Sequence, residues 1–234
     1  MPNKEKKVAI LQSNYIPWKG YFDLIARADV FVFLDVVQYT KGDWRNRNKI
    51  KTSQGQQWLT LPVKTSKRRW QKINEAELLH THWIDKHLKS LMFNYRKAKC
   101  YEQTMEWLAP LYTRFRGERR LSAINQVLIR AICSRLGIST NIITADQFLI
   151  EGNKDNALLS ILDQIGDVSH YITGPSAKSY LKEEYFEQRQ IKVEWMDYNN
   201  YLPYKQLYPP FMHDVSILDL LFHQGDDSRS FLKY

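Results

Sequence analysis

Only two cysteines occur in 234 residues, and neither Cys100 nor Cys133 has a CxxC partner or a histidine in ligand spacing. That excludes a disulfide scaffold and a Cys/His zinc module, and it leaves two core or half-buried thiols. Long hydrophobic runs are missing too. The apolar stretches are strand-sized, far below the ~20 residues that cross a bilayer, so no membrane span is expected. The opening Met1-Pro2-Asn3-Lys4-Glu5-Lys6-Lys7 leads into a run too short for a secretory signal, which places the chain in the cytoplasm. Absent as well are GxSxG, HExxH and the P-loop spacing, so serine hydrolases, zinc proteases and P-loop enzymes lose weight. His80, His82 and His87 have no carboxylate motif beside them, and no metal site is expected there. His213-Asp214 reads as a cap next to an exposed histidine rather than a catalytic pair. There is no zinc finger, RRM signature or basic arm.

What is present is a basic chain with enough apolar residues for a core. A formal charge of +9 calls for an anionic partner, yet the cations are interspersed with acids along most of the chain. A nucleotide sugar or other phosphorylated small molecule fits that distribution better than nucleic acid. The densest cluster, Lys64, Lys67, Arg68, Arg69 and Lys72, reads equally as a solvated loop or a binding patch.

The stretch from Val8 to Lys51 organises the rest. The run Val8-Ala9-Ile10-Leu11 ends in Gln12-Ser13-Asn14-Tyr15; Pro17-Trp18-Lys19-Gly20 opens an amphipathic segment to Ala28; and Val30-Phe31-Val32-Phe33-Leu34 ends in Asp35. Run lengths and punctuation predict strand, turn, helix, strand, with the two strand ends side by side at a ligand-collecting edge. In Trp44-Arg45-Asn46-Arg47-Asn48-Lys49-Ile50-Lys51 the cations recur at every second position, so an extended backbone turns Arg45, Arg47, Lys49 and Lys51 to one face. Further on, Trp58 to Val63 reads as a short strand; Trp83–Lys97, Tyr101–Phe115 and Leu121–Leu136 as helices, the last capped by Gly137; and Asn141–Thr144 as a third strand. Asp155 or Asn156 can cap a helix from Ala157 to Ile165. His170–Gly174 reads as a fourth strand running into Pro175-Ser176-Ala177-Lys178, a turn opening a helix, where free N–H groups, Ser176 and Lys178 suit an anion as well as a purely structural turn would. Ile191–Met196 alternates like an edge strand, Tyr198 to Phe211 is an aromatic, proline-rich wrap, and Val215–His223 is a helix stopped at Gly225. The sum is an α/β fold, a Rossmann-like and mostly parallel sheet flanked by helices, spanning residues 1–234 as one domain with a helical insertion at about 78–136.

Taken together, Gln12 to Phe22, Asp35-Val36-Val37-Gln38-Tyr39, Trp44 to Lys51, Thr173 to Leu181 and Ser216-Ile217-Leu218-Asp219-Leu220-Leu221-Phe222 resemble the WbqC-like protein family nearly end to end. Leu11-Gln12-Ser13-Asn14-Tyr15 stands where members often carry His-Gln-Pro-Asn-Tyr, so no histidine role transfers. The resemblance implies bacterial surface-polysaccharide, especially O-antigen, synthesis. A more distant similarity to the nucleotidyltransferase-like α/β fold implies ATP with Mg as a cofactor, although Pro17-Trp18-Lys19-Gly20 replaces its HxGH motif. The expected function is transfer of an acyl or aminoacyl group to a nucleotide-linked amino sugar, as a transferase or an ATP-dependent amide ligase. Asp35 and Asn14 are the catalytic candidates, Asp35 as base or metal ligand if it is not simply a turn cap. Gln12, Tyr15 and Asn46 join Asn14 in orienting the acceptor; Arg45, Arg47 and Lys49 neutralise the diphosphate; Ser176 and Lys178 take a second phosphate. The alternative is a non-catalytic scaffold of the same pathway that holds a partner through Tyr198 to Phe211.

Overall fold

The structure, a computed structural model, describes residues 6–66, 68 and 70–234. Strand β1 (Lys6–Leu11) runs into helix α1 (Lys19–Arg27) and strand β2 (Val30–Phe33), and the strands pair in parallel with Val8 opposite Val30 and Leu11 opposite Phe33. The chain then leaves the sheet. Strands β3 (Arg47–Thr52) and β4 (Gly55–Thr60) form a separate antiparallel hairpin. Its second strand begins three residues before the expected Trp58, because Gly55 adopts φ +100°, a conformation closed to other residues, and lets pairing start at Thr52 opposite Gly55. Helices α2 (Trp83–Tyr95), α3 (Tyr101–Thr113) and α4 (Leu121–Arg135) follow, and Gly137 at φ +68° turns the chain toward β5 (Asn141–Thr144).

Helix α5 begins at Asp155 and runs to Ile165. Asp155 is therefore not its cap; its carboxylate instead accepts from the Lys182 N–H at 3.2 Å. Strand β6 (Val168–Thr173) leads to a single tight turn of helix, Pro175–Ser179, where a longer helix was expected, and then to α6 (Glu183–Glu187) and β7 (Lys192–Trp195). Helix α7 (Ile217–Gln224) is capped by Ser216, whose hydroxyl accepts from the Leu218 N–H at 3.2 Å, so Asp214 is free of capping duty.

The parallel sheet has the order β5-β2-β1-β6-β7. It grows from β1 to one side and then reverses to the other, so the switch point lies between β1 and β6, where open α/β sheets leave a crevice beyond the carboxyl ends. Alternation divides the strands between two cores. Ala9, Phe31, Phe33 and Ile172 pack with α1 to α4 and α7, while Val8, Ile10, Val32, Tyr171 and Val193 pack with α5 and α6. Both cysteines are free, Cys133 buried and Cys100 half-buried. In the basic cluster, Lys64 and Arg68 share Glu77 at 2.8 and 3.7 Å; Lys67, Arg69 and Met1 to Glu5 lie outside the described residues. Among the described residues no helix is long and apolar enough to cross a membrane.

Candidate functional site

The loop that leaves β1 crosses the carboxyl edge of the sheet in an unfavourable conformation that its neighbours impose. Ile16 is wholly buried with φ +37°, a region a β-branched residue rarely enters. The buried Asn48 amide holds it there, donating to the carbonyls of Tyr15 at 3.2 Å and Ile16 at 2.9 Å. The Ser13 N–H donates to Asp35 Oδ1 at 2.8 Å, the Tyr15 N–H to the Trp44 carbonyl at 3.0 Å, and the Ile217 N–H to the Pro17 carbonyl at 2.9 Å. Trp18 folds back over Gly20, where a Cβ would lie 2.3 Å from the indole, so only glycine fits. Strain over-determined by its surroundings in this way is concentrated at functional sites.

Around this loop the candidate residues separate. Asn14 Oδ1 accepts from Arg45 Nη1, and Arg45 also meets Asp43 at 3.6 Å. Arg47 lies over the Trp58 ring at 4.2 Å with its buried Nε unpartnered, and Lys49 reaches Asp214 at 3.4 Å. Asn14 and Arg45 thus pair at the loop, Arg45 lying in the turn before β3 and not on an extended strip, while Arg47 and Lys49 share the Trp58 ring on the hairpin. Asp35 is buried: its Oδ1 takes the Ser13 N–H and its Oδ2 the Gln126 amide at 2.9 Å. Burial pushes its carboxyl above the usual carboxylate range, against the pull of those hydrogen bonds and of Arg45. Asp35 neither caps a turn nor stands free as a base; it anchors the loop. Asn46 is also buried, and its amide donates to the Leu61 carbonyl at 2.9 Å. Tyr15 turns inward against Trp83, its hydroxyl 2.8 Å from His87 Nδ1 and 2.7 Å from the Tyr112 hydroxyl. An aromatic whose polar tip finds partners inside gains more from the core than from the rim.

Two clefts open on either side of the loop. The larger, about 860 Å³, lies at the switch point, with Gln12, Gln38, Lys72, Asn153, Lys154 and Tyr180 among its polar walls. The smaller, about 280 Å³, is lined by Asn14, Pro17, Trp18, Trp44, Asn48 and Asp214. Gln12 faces one and Asn14 the other, and two residues of chain span at most ~7 Å. The Tyr21 hydroxyl donates to the Gln12 carbonyl at 2.9 Å, and Arg45, bonded to Asn14, ties the loop between the clefts to the turn before β3.

The turn after β6 takes another course. Thr173 lines the larger cleft, but Ser176 is exposed outside that lining, and Lys178 sits 5.4 Å over the Trp195 ring at the sheet edge. These two residues do not form a cradle for ATP phosphates with the first loop. The residues that sequence reasoning passed over are Trp18, Trp44, Trp58, Asn48 and Asp214. Their signal was Trp44 at the head of the alternating cations and Trp58 in the strand that follows, aromatic residues close in sequence to charge. Among the described residues no group of three His, Cys, Asp or Glu side chains is placed to hold a metal.

The comparisons agree with this architecture's sequence pattern. The chain is 47% identical over 229 residues, 98% of each chain, to an uncharacterized protein of Mycobacterium tuberculosis, Rv1507c. No solved structure matches it. The pattern of the WbqC-like protein family matches residues 12–231, a span that holds the strained loop, the hairpin, the smaller cleft, all of the larger cleft's lining but Ile10 and Leu11, and the closing helix. The chain belongs to the WbqC-like protein family.

Proposed function

We propose that this chain is a group-transfer enzyme of bacterial surface-polysaccharide synthesis, of the O-antigen type, that binds a nucleotide-linked amino sugar and moves an acyl or aminoacyl group from an activated ester or thioester donor onto the sugar's nitrogen, the donor's alcohol or thiol leaving with the amine proton. The observation that carries the reading is Arg47: a guanidinium held 4.2 Å over Trp58, unpaired with any carboxylate among the described residues, and next in β3 to Asn48, which locks the strained loop. A planar fork of donors with no internal acceptor suits the oxygens of a diphosphate. The nucleoside occupies the larger cleft, and the diphosphate passes Arg45 toward Arg47. Asn14, whose carbonyl oxygen is taken by Arg45, offers its NH₂ to the reacting group. Asp35 is a positioning residue that fixes the Ser13 amide and with it the loop. ATP has no part in this reading, because Ser176 and Lys178 lie apart from the cleft.

The scaffold alternative loses its support to the packing of its own tail. Tyr201 donates to the buried Asp23, Tyr204 to Asp219 at 2.7 Å, and Tyr208 to the Asn94 carbonyl at 3.2 Å, so these aromatics are engaged within the chain.

A thermal-shift panel of nucleoside diphosphates and nucleotide sugars identifies the base, since a ligand of the native state raises Tm. Against that ligand, Arg47→Ala lowers affinity about 10–100-fold by calorimetry, about 1.4–2.8 kcal/mol, with Tm nearly unchanged. Unchanged affinity removes Arg47 from the site and the reading with it.

A further inference from the structure

The smaller cleft has a chemistry that phosphate binding does not use. Its walls are aromatic: Trp18 and Trp44 line it with Pro17, and Trp58 stands next to Trp44 with ring centroids 5.5 Å apart and planes tilted by 40°. Trp44 and Trp58 are 43% and 39% exposed, where indoles of a well-cored protein are usually covered. Trp18 is nevertheless held in place, and so is the Trp58 ring against which Trp44 rests. Trp18 packs edge-on to Tyr198 at 5.0 Å and Tyr201 at 5.9 Å, and Trp58 carries Arg47 at 4.2 Å and Lys49 at 5.3 Å. The rim is polar, with Asn14, Asn48 and Asp214.

Rigid indole faces ringed by amide and carboxylate groups match one class of ligand. The electron-rich face of an indole attracts the slightly positive C–H groups of a sugar ring, while hydroxyls at the ring's edge need acceptors and donors beside it. A nucleobase would also stack, but the larger cleft has the room for a nucleoside. At about 280 Å³ the smaller one lies just under the ~300–1,000 Å³ that drug-sized ligand pockets span, space for a single ring. We propose that the smaller cleft is a hexopyranose subsite, in which Trp44 and Trp18 are the stacking walls and Asn14 and Asp214 read the hydroxyls. The inference rests on the nucleotide-sugar reading, giving the glycosyl half of that ligand its own site one loop-width from the nucleoside.

Calorimetry on the full chain compares UDP with UDP-N-acetylglucosamine and GDP with GDP-mannose, for the wild type, Trp44→Ala and Trp44→Phe. The expected result is a nucleotide sugar bound at least about 10-fold more tightly than its own nucleoside diphosphate. Trp44→Ala removes that advantage while keeping the diphosphate affinity, and Trp44→Phe restores part of it. A wild-type ratio near one, an undiminished ratio in Trp44→Ala, or equal losses for both ligands overturns the subsite and leaves the nucleotide reading standing. If no diphosphate or nucleotide sugar binds, the nucleotide reading falls. The subsite is then judged with methyl hexopyranosides by saturation-transfer NMR: saturation of ring C–H protons that Trp44→Ala abolishes supports it, and none in the wild type overturns it.

Discussion

Arg47 and Lys51 leave the same strand on the same face, and the chain treats them oppositely. Arg47 is half-buried, stacked on Trp58, with its Nε lacking an acceptor. Lys51 is 1% exposed; its ammonium donates to Gln206 Oε1 at 2.6 Å and to the Pro210 carbonyl. Its backbone N–H donates to the Tyr95 hydroxyl at 3.0 Å, and Tyr95 donates to Asp219 Oδ2 at 2.8 Å. Asp219 Oδ1 in turn accepts from Tyr204 and from Gln206, both at 2.7 Å. Burial pulls the Lys51 ammonium below its ordinary value, with Asp219 opposing. The strand is the same; the cover differs. Tyr204 to Asp214 run across Lys51, reach Lys49 only through the exposed Asp214, and leave Arg47 to its indole. The Lys51 charge is satisfied inside the chain and serves the fold, whereas the unpartnered Arg47 Nε leaves a donor without an internal acceptor.

That contrast breaks most visibly at Asp219. The side chain is wholly buried, and although burial alone would raise its carboxyl, hydrogen bonds from His223, Tyr204 and Gln206 outweigh it and hold the carboxyl low. Asp219→Ala strips the acceptor from Tyr95, Tyr204 and Gln206 and leaves Lys51 buried without its counter-charge. The expected loss is about 3–5 kcal/mol, read from the urea midpoint at unchanged m. A loss below about 1 kcal/mol would mean that the tail, rather than this network, closes that end of the strip.

A second buried group sharpens the comparison through pH. Burial lowers His87 from its ordinary 6.5 to about 4, and Tyr15 and Tyr112 complete its cluster. As pH falls, the unfolded chain takes up the proton first, so the stability this neutral imidazole contributes is whole above pH 6.5 and is lost on the way down to pH 4. Between pH 7 and pH 4 the wild type should lose about 3 kcal/mol more than His87→Gln, measured by urea titration at each pH. Equal losses would place the imidazole in contact with solvent.

How far the sequence disclosed all this depends on the range over which each signal acts. The β1-α1-β2 unit, β5 and helices α2 to α4 lie within about two residues of where run length and periodicity put them, because those signals are local. Although Arg45 lies in the turn before β3 and not on the strip, the alternation placed Arg47, Lys49 and Lys51 on one face of that strand. It could not name what lies on that face, since the cover over Lys51 comes from residues more than 150 positions away. Nor could it tell Asn14 from Tyr15. These neighbours point in different directions because a backbone strained at Ile16 is locked by Asn48 from another element. The tryptophans were in plain view, but their value as walls appears only when the hairpin brings Trp58 beside Trp44.

The smallest expected effect tests the other stretch that looked suited to anions. Glycine, serine and lysine after a strand are the right residues for a phosphate cradle, and Thr173 does border the crevice. Yet Pro175–Ser179 makes one tight helical turn, too short to sum a useful dipole, and Lys178 is spent on Trp195. The double variant Ser176→Ala, Lys178→Ala should therefore change nucleoside diphosphate affinity less than about 2-fold and cost at most about 1 kcal/mol of stability, the worth of an exposed cation–π contact. A tenfold loss of affinity would instead draw this turn into the ligand's reach. The two anion-suited stretches would then be halves of one pocket, with Arg47 on one side and Lys178 on the other, and ATP would return as a candidate for the second half.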